Sequence, residues 1–170
     1  MTVLKSYPID VDKQLLWSIY NRCTQRIEYY NERVARTTNI FVSDDRDVLR
    51  INDLLESIGI TQDLIENQFD YGFDVTGYNF NVISPGGFVK PHKDTNSTKL
   101  NILLNDSTDC PIHFESGEKY YYEHPVLLDV SQTHSVDNCE SITEDRVTFQ
   151  VFFKLPFKEC ERILDARTSN

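Results

Sequence analysis

The tripeptide His92-Lys93-Asp94 places an imidazole and a carboxylate two residues apart. On a β-strand that spacing puts both side chains on one face, where both can reach a single ion. A third ligand has to come from another strand, and His134 supplies one at the start of a predicted strand Thr133–Asp137. Two imidazoles and one carboxylate on one side of a divalent metal leave three positions open. That arrangement suits non-haem iron(II) chemistry, because oxygen and a cosubstrate must both reach the ion. The spacing recurs in His113-Phe114-Glu115. Glu115, however, falls beside the Ser116-Gly117 turn, and too few strands separate it from His134 to wrap a barrel. His92, Asp94 and His134 are therefore the expected metal ligands and catalytic centre. His113 and His124 are expected as surface or structurally bonded histidines.

A second cluster follows in chain order. In the predicted strand Arg146–Leu155, Arg146, Thr148 and Gln150 share one face, while Val147, Phe149, Val151 and Phe153 share the other. An arginine turned into a largely apolar barrel is costly unless an anion pairs with it. A dicarboxylate cosubstrate supplies that anion. Its far carboxylate can take two parallel bonds from the guanidinium, with a further bond from the Thr148 hydroxyl.

The elements that must position these residues divide the chain unequally. The first third reads helical. Val11, Leu15, Ile19, Cys23 and Ile27 recur every four residues behind Asp10 as N-cap. A second helix is predicted over Asp45–Ile58, ended by Gly59, and a short third one from Thr61 to about Phe69. Beyond Tyr71 the pattern changes to short apolar or alternating runs bounded by turn residues. The predicted strands are Val75–Ser84, Phe88–Asp94, Lys99–Asn105, Cys110–Phe114, Glu118–Glu123, Val126–Val130, Thr133–Asp137 and Arg146–Leu155. Pro85-Gly86-Gly87, Asn105-Asp106-Ser107 and Ser116-Gly117 read as turns, and a last helix is predicted over Lys158–Ala166. The fold class is mainly β with flanking helices, a sandwich or jelly roll, in one domain. Residues 1–70 form a helical part packed on the barrel, 71–155 the barrel, and 156–170 a C-terminal helix.

Composition narrows the partners. Seventeen Lys and Arg against 27 Asp and Glu give a net charge of -10, and no basic stripe is present to meet phosphates, so nucleic acid is not an expected substrate. The N-terminus MTVLKSYPID lacks an apolar leader, and no run approaches membrane-spanning length, so the expectation is a cytoplasmic protein without a membrane partner. The four cysteines at 23, 110, 139 and 160 form no CxxC pair and are expected as free thiols in a reducing compartment. Tyr120, Tyr121 and Tyr122 either line the entrance of the barrel or pack a strand on both faces.

The stretch Ser84-Pro85-Gly86-Gly87-Phe88-Val89-Lys90-Pro91-His92-Lys93-Asp94, followed by Lys99–Leu104, Thr133-His134 and Arg146-Val147-Thr148, resembles the 2-oxoglutarate and iron(II)-dependent oxygenase superfamily. The resemblance covers roughly residues 76–155, and the Pro-Gly turn and Pro-His strand look most like its aspartyl/asparaginyl β-hydroxylase-like branch. It implies a double-stranded β-helix, with iron(II) on His92, Asp94 and His134. It implies 2-oxoglutarate held by Arg146 and Thr148, with Lys99 and Asn81 as further candidate contacts. The implied reaction splits 2-oxoglutarate to succinate and carbon dioxide and hydroxylates an unactivated C–H bond of a peptidyl or free amino acid. Two features depart from the branch. Where its members often keep a second basic residue after the first ligand, this chain offers Lys99 and Asn101. Where several replace the acidic ligand by glycine, it keeps Asp94. The alternatives are a cupin-like metal-binding protein that does not use 2-oxoglutarate and a catalytically inactive binding protein on the same fold.

Overall fold

The computed structural model describes residues 2–70, 73–75, 77–107, 109–137, 139 and 141–169. In chain order the elements are β1 (Leu4–Ser6), α1 (Lys13–Arg22), β2 (Gln25–Tyr29), β3 (Val34–Phe41), α2 (Asp45–Ser57), β4 (Gln68–Asp70), β5 (Phe73–Val75), β6 (Tyr78–His92), β7 (Thr98–Leu103), β8 (Ile112–Phe114), β9 (Lys119–Tyr120), β10 (Val126–Asp129), β11 (His134–Val136), β12 (Arg146–Phe153) and α3 (Phe157–Thr168). Ten strands form one curled antiparallel sheet. Its main path is β1-β10-β7-β12-β6-β11-β8-β9, with β3 also on β6 and β2 outside β3. β4 and β5 form a separate two-stranded sheet.

The alternation in β12 divides the interior as its residue types require. Val147, Phe149, Val151 and Phe153 face one way and join Leu16, Ile19, Ile51 and Leu55 of the helices in the largest apolar cluster. Phe149 anchors it, with its ring centroid 5.3 Å from that of Phe80. The polar residues Arg146, Thr148 and Gln150 are buried on the opposite face, inside the curl of the sheet.

The helical first third is not what forms. Between α1 and α2 lies a hairpin, β2–β3, and β1 joins the far edge of the main sheet through β10. The four-residue recurrence from Val11 to Ile27 spans two elements. Helix α1 is capped by Asp12, not Asp10, through a 3.0 Å bond from the Leu15 N–H, and it ends at Arg22. Ile27 belongs to β2, opposite Asn39 of β3, and the next two residues of β2 face the β-branched pair Thr38 and Thr37. Asn31 closes the hairpin by accepting from the Arg33 and Val34 N–H groups, so side-chain hydrogen bonding there favours a turn over a continued helix. The second helix matches the expectation closely, capped by Asp44 and followed by Gly59 at φ 93°. The third shrinks to a single 3₁₀ turn at Gln62–Leu64.

Two further expectations need correction. Pro85-Gly86-Gly87 is no turn between strands, because β6 runs unbroken from Tyr78 to His92. The register with β3 shifts between Ala35 and Thr37, so the Pro-Gly-Gly segment is a bulge that bends one long strand. Gly86 has φ 80°, and a Cβ on Gly87 would lie 2.7 Å from Ile83 Cγ2 and 2.9 Å from the Arg36 carbonyl oxygen. Nor are all four cysteines free: Cys110 and Cys139 form a disulfide, leaving Cys23 and Cys160 as thiols. The residues are 29 apart, and what joins them is the approach of the segments flanking β8 and β11, which sequence spacing does not reveal. Among the described residues, no helix is long and apolar enough to cross a membrane.

Candidate metal centre

His92 ends β6 and His134 begins β11, and the two face each other directly in the antiparallel register. Directly opposed residues project to the same side of a sheet, so both imidazoles enter the curl. Asp94 lies just past the end of β6, its N–H held 3.0 Å from the Val130 carbonyl. One ligand atom from each of the three side chains lies within 4.8 Å of the other two, and they are the one such group among the described residues. Asp94 Oδ1 is 3.0 Å from His92 Nε2 and 3.5 Å from His134 Nε2. Metal–nitrogen and metal–oxygen bonds of about 2.1 Å keep any two ligands within about 4.2 Å, so the three are nearly in place for one ion.

The imidazoles are also oriented for metal binding. His92 Nδ1 is 2.9 Å from the Lys90 carbonyl, and His134 Nδ1 is 2.8 Å from the Gln132 carbonyl. A carbonyl only accepts, so each Nδ1 carries a proton, and each Nε2, which faces Asp94 Oδ1, is the ring atom left to coordinate a metal in place of donating to that carboxylate. Burial alone would raise the Asp94 pKa. The Lys99 ammonium and the two histidines outweigh burial and hold the carboxyl well below its usual range. The hydrogen bond to Asp94 pushes His92 above its ordinary value.

The three residues sit in a cavity of about 430 Å³ that Arg146 also lines. Arg146 is 1% exposed. One guanidinium nitrogen donates to the Cys110 carbonyl at 2.6 Å, and the group lies 5.0 Å from the centre of the Tyr122 ring. Among the described residues its Nε has no hydrogen-bond partner and no carboxylate forms an ion pair with it. Burial accordingly pushes the Arg146 pKa down from its ordinary value. A buried cation without a counter-ion among the described residues, in a cavity that also holds three side chains placed so that they could share a metal ion, is the arrangement an anionic ligand would complete.

The other predicted site residues scatter. Thr148 is fully buried, but its hydroxyl donates to the Asn81 carbonyl at 3.3 Å and it does not line the cavity. Asn81 does line it, with its amide nitrogen donating to Asn39 Oδ1 at 2.9 Å. Lys99 lines it as well, paired with Asp94 Oδ2 at 3.0 Å. His113 instead pairs with Asp137 at 3.2 Å, and Glu115 is exposed. Of the three tyrosines, Tyr122 is buried against Arg146, Tyr121 is exposed, and Tyr120 packs on the smaller cluster around Val126. The hairpin adds Tyr29, Val34, Thr37 and Asn39 to the cavity wall. Nothing in their types marks them as site residues, since a polar residue alternating on a strand is equally at home facing solvent. Asn101 also lines the cavity, and its buried Oδ1 is a second atom there without a hydrogen-bond partner among the described residues.

No family model and no curated protein matches the sequence. Solved structures do share the fold. A prolyl-4-hydroxylase from Pseudomonas putida superposes with a TM-score of 0.57 at 11% identity, covering 89% of this chain and 91% of that one. HygX from Streptomyces hygroscopicus, with nickel and 2-oxoglutarate bound, gives 0.54 at 10% identity, covering 88% and 81%. An oxidoreductase of the 2OG-Fe(II) oxygenase family from Burkholderia pseudomallei gives 0.50 at 12%, covering 84% and 77%. The chain therefore has the fold of 2-oxoglutarate-dependent oxygenases, and at these identities the likeness is one of fold.

Proposed function

We propose that this chain is an iron(II)- and 2-oxoglutarate-dependent oxygenase that hydroxylates an unactivated C–H bond. The observation that carries this proposal is the pairing of two features in one cavity: three convergent metal-ligand side chains, and a buried guanidinium that no described carboxylate neutralises. His92, Asp94 and His134 would hold the metal. Arg146 would hold the far carboxylate of the cosubstrate, with the Tyr122 ring fixing the plane of the guanidinium. Thr148 would add a bond only by turning its hydroxyl away from the Asn81 carbonyl. Bound iron supplies the oxygen activation, coupled to oxidative decarboxylation of 2-oxoglutarate to succinate. The chain's own part is to present two imidazole Nε2 atoms and one ionised carboxylate to the metal and to anchor the dicarboxylate.

The cavity, whose lining also includes Tyr29, Val34, Asn39 and Lys93, would admit the group to be oxidised. The substrate class we infer is an amino-acid side chain, in a peptide or free, as in aspartyl/asparaginyl or prolyl hydroxylases. The sequence resemblance and the fold likeness to a prolyl hydroxylase support it. The test is anaerobic addition of 2-oxoglutarate to the iron(II) protein, followed by aerobic turnover. A weak visible charge-transfer band and succinate release are expected. Metal binding without the band would instead support a cupin-like metalloprotein that does not use 2-oxoglutarate.

A further inference from the structure

Lys99 and Asp94 form a pair that the proposed function does not require. Lys99 stands on β7 opposite Phe152 of β12, its Nζ 5.5 Å from the centre of the Phe152 ring. Its side chain is 12% exposed. The two oxygens of Asp94 are divided between different partners. Oδ1 faces both histidine Nε2 atoms, while Oδ2 is held at 3.0 Å by the Lys99 ammonium. A carboxylate with both oxygens free can bind a metal through one oxygen or through both. Binding through both would take up one more position around the ion. A chelating 2-oxo acid and oxygen together need three.

We infer that Lys99 is a positioning residue that keeps Asp94 a one-oxygen ligand and so preserves three adjacent open positions on the metal. The inference rests on the metal reading above, and it gives Lys99 a task other than contact with the cosubstrate. The ammonium is a positive charge beside the site, so it opposes metal binding while it organises the site. Removing the charge should leave metal affinity equal or higher, yet impair what the bound metal can accept. A residue needed only for folding would show neither effect.

The test uses cobalt(II) as a spectroscopic probe, on wild type, Lys99→Met, Lys99→Gln and Lys99→Arg. The two neutral variants guard against one of them failing to fold, which thermal melting reports. With cobalt alone, both neutral variants should bind at least as tightly as wild type. Their visible d–d spectrum should change, reflecting an altered coordination number, and Lys99→Arg should keep the wild-type spectrum. With 2-oxoglutarate added, the neutral variants should need at least tenfold more to reach the same spectral change. A folded neutral variant with the wild-type cobalt spectrum overturns the inference, even if its 2-oxoglutarate affinity falls, because Lys99 would then touch the cosubstrate directly. Loss of cobalt affinity in both neutral variants overturns it as well. A wild-type cobalt spectrum that ignores 2-oxoglutarate counts against the proposed function alone, since the cobalt comparison needs no cosubstrate.

Discussion

Replacing Arg146 by methionine should separate stability from cosubstrate binding. In the ligand-free protein two effects oppose each other. The Cys110 carbonyl loses its 2.6 Å donor, which costs about 1–3 kcal/mol. A buried cation without a counter-ion is removed at the same time, and replacing buried charge with apolar volume often stabilises by about 1–4 kcal/mol. The ligand-free variant should therefore melt close to wild type, within about 2 kcal/mol. Binding should behave quite differently. Losing a desolvated charge-assisted pair costs about 2–5 kcal/mol, which is roughly 30- to 5,000-fold in affinity. The assay is thermal unfolding with a redox-inert divalent metal, with and without 2-oxoglutarate, supported by calorimetric titration. At 100 times the wild-type Kd, 2-oxoglutarate should stabilise wild type by about 2.7 kcal/mol. A variant weakened about 100-fold should gain only about 0.4 kcal/mol at the same concentration. Loss of several kcal/mol from the ligand-free variant with unchanged 2-oxoglutarate affinity would refute the reasoning, because Arg146 would then be a structural cation.

Three further outcomes are expected. Asp94→Ala should lower metal affinity at least tenfold while Glu115→Ala leaves it unchanged, as read by competition with a chromogenic chelator; the reverse would mean that the wrong His-x-acid tripeptide was chosen. Gly87→Ala should cost about 1–3 kcal/mol of stability, because the new methyl group meets Ile83 and two backbone carbonyls at the bulge, and chemical denaturation that finds less than half a kcal/mol would remove the close-packing argument. Breaking the Cys110–Cys139 disulfide through a paired Cys110→Ser and Cys139→Ser substitution should cost about 3–4 kcal/mol, from the chain-entropy value for a loop of 29 residues. Equal midpoints in denaturant for the two proteins would show that the flanking segments are already ordered without the bond.

Much of the site was legible in the sequence because its constraints are local or periodic. A period of two along a strand gives β12 its polar and apolar faces, and that period survives whatever the strand pairs with; the two-residue spacing also keeps His92 and Asp94 close, although Asp94 lies just past the end of β6 and not on the strand. The order of His92, Asp94, His134 and Arg146 along the chain could likewise be read without coordinates. Helix α2 was visible for the same reason, with an apolar stripe and a closing glycine belonging to one element, while its Asp44 cap emerged from the structure. The opposed register of His92 and His134, the ion pair that occupies Asp94 Oδ2 and the disulfide at 110 and 139 were decided only in three dimensions. So were the hairpin that walls the cavity and the single bent strand across Pro85–Gly87. Each depends on which distant segments meet, and burial against a neighbouring strand outweighs the weak intrinsic preferences that a short stretch of sequence expresses.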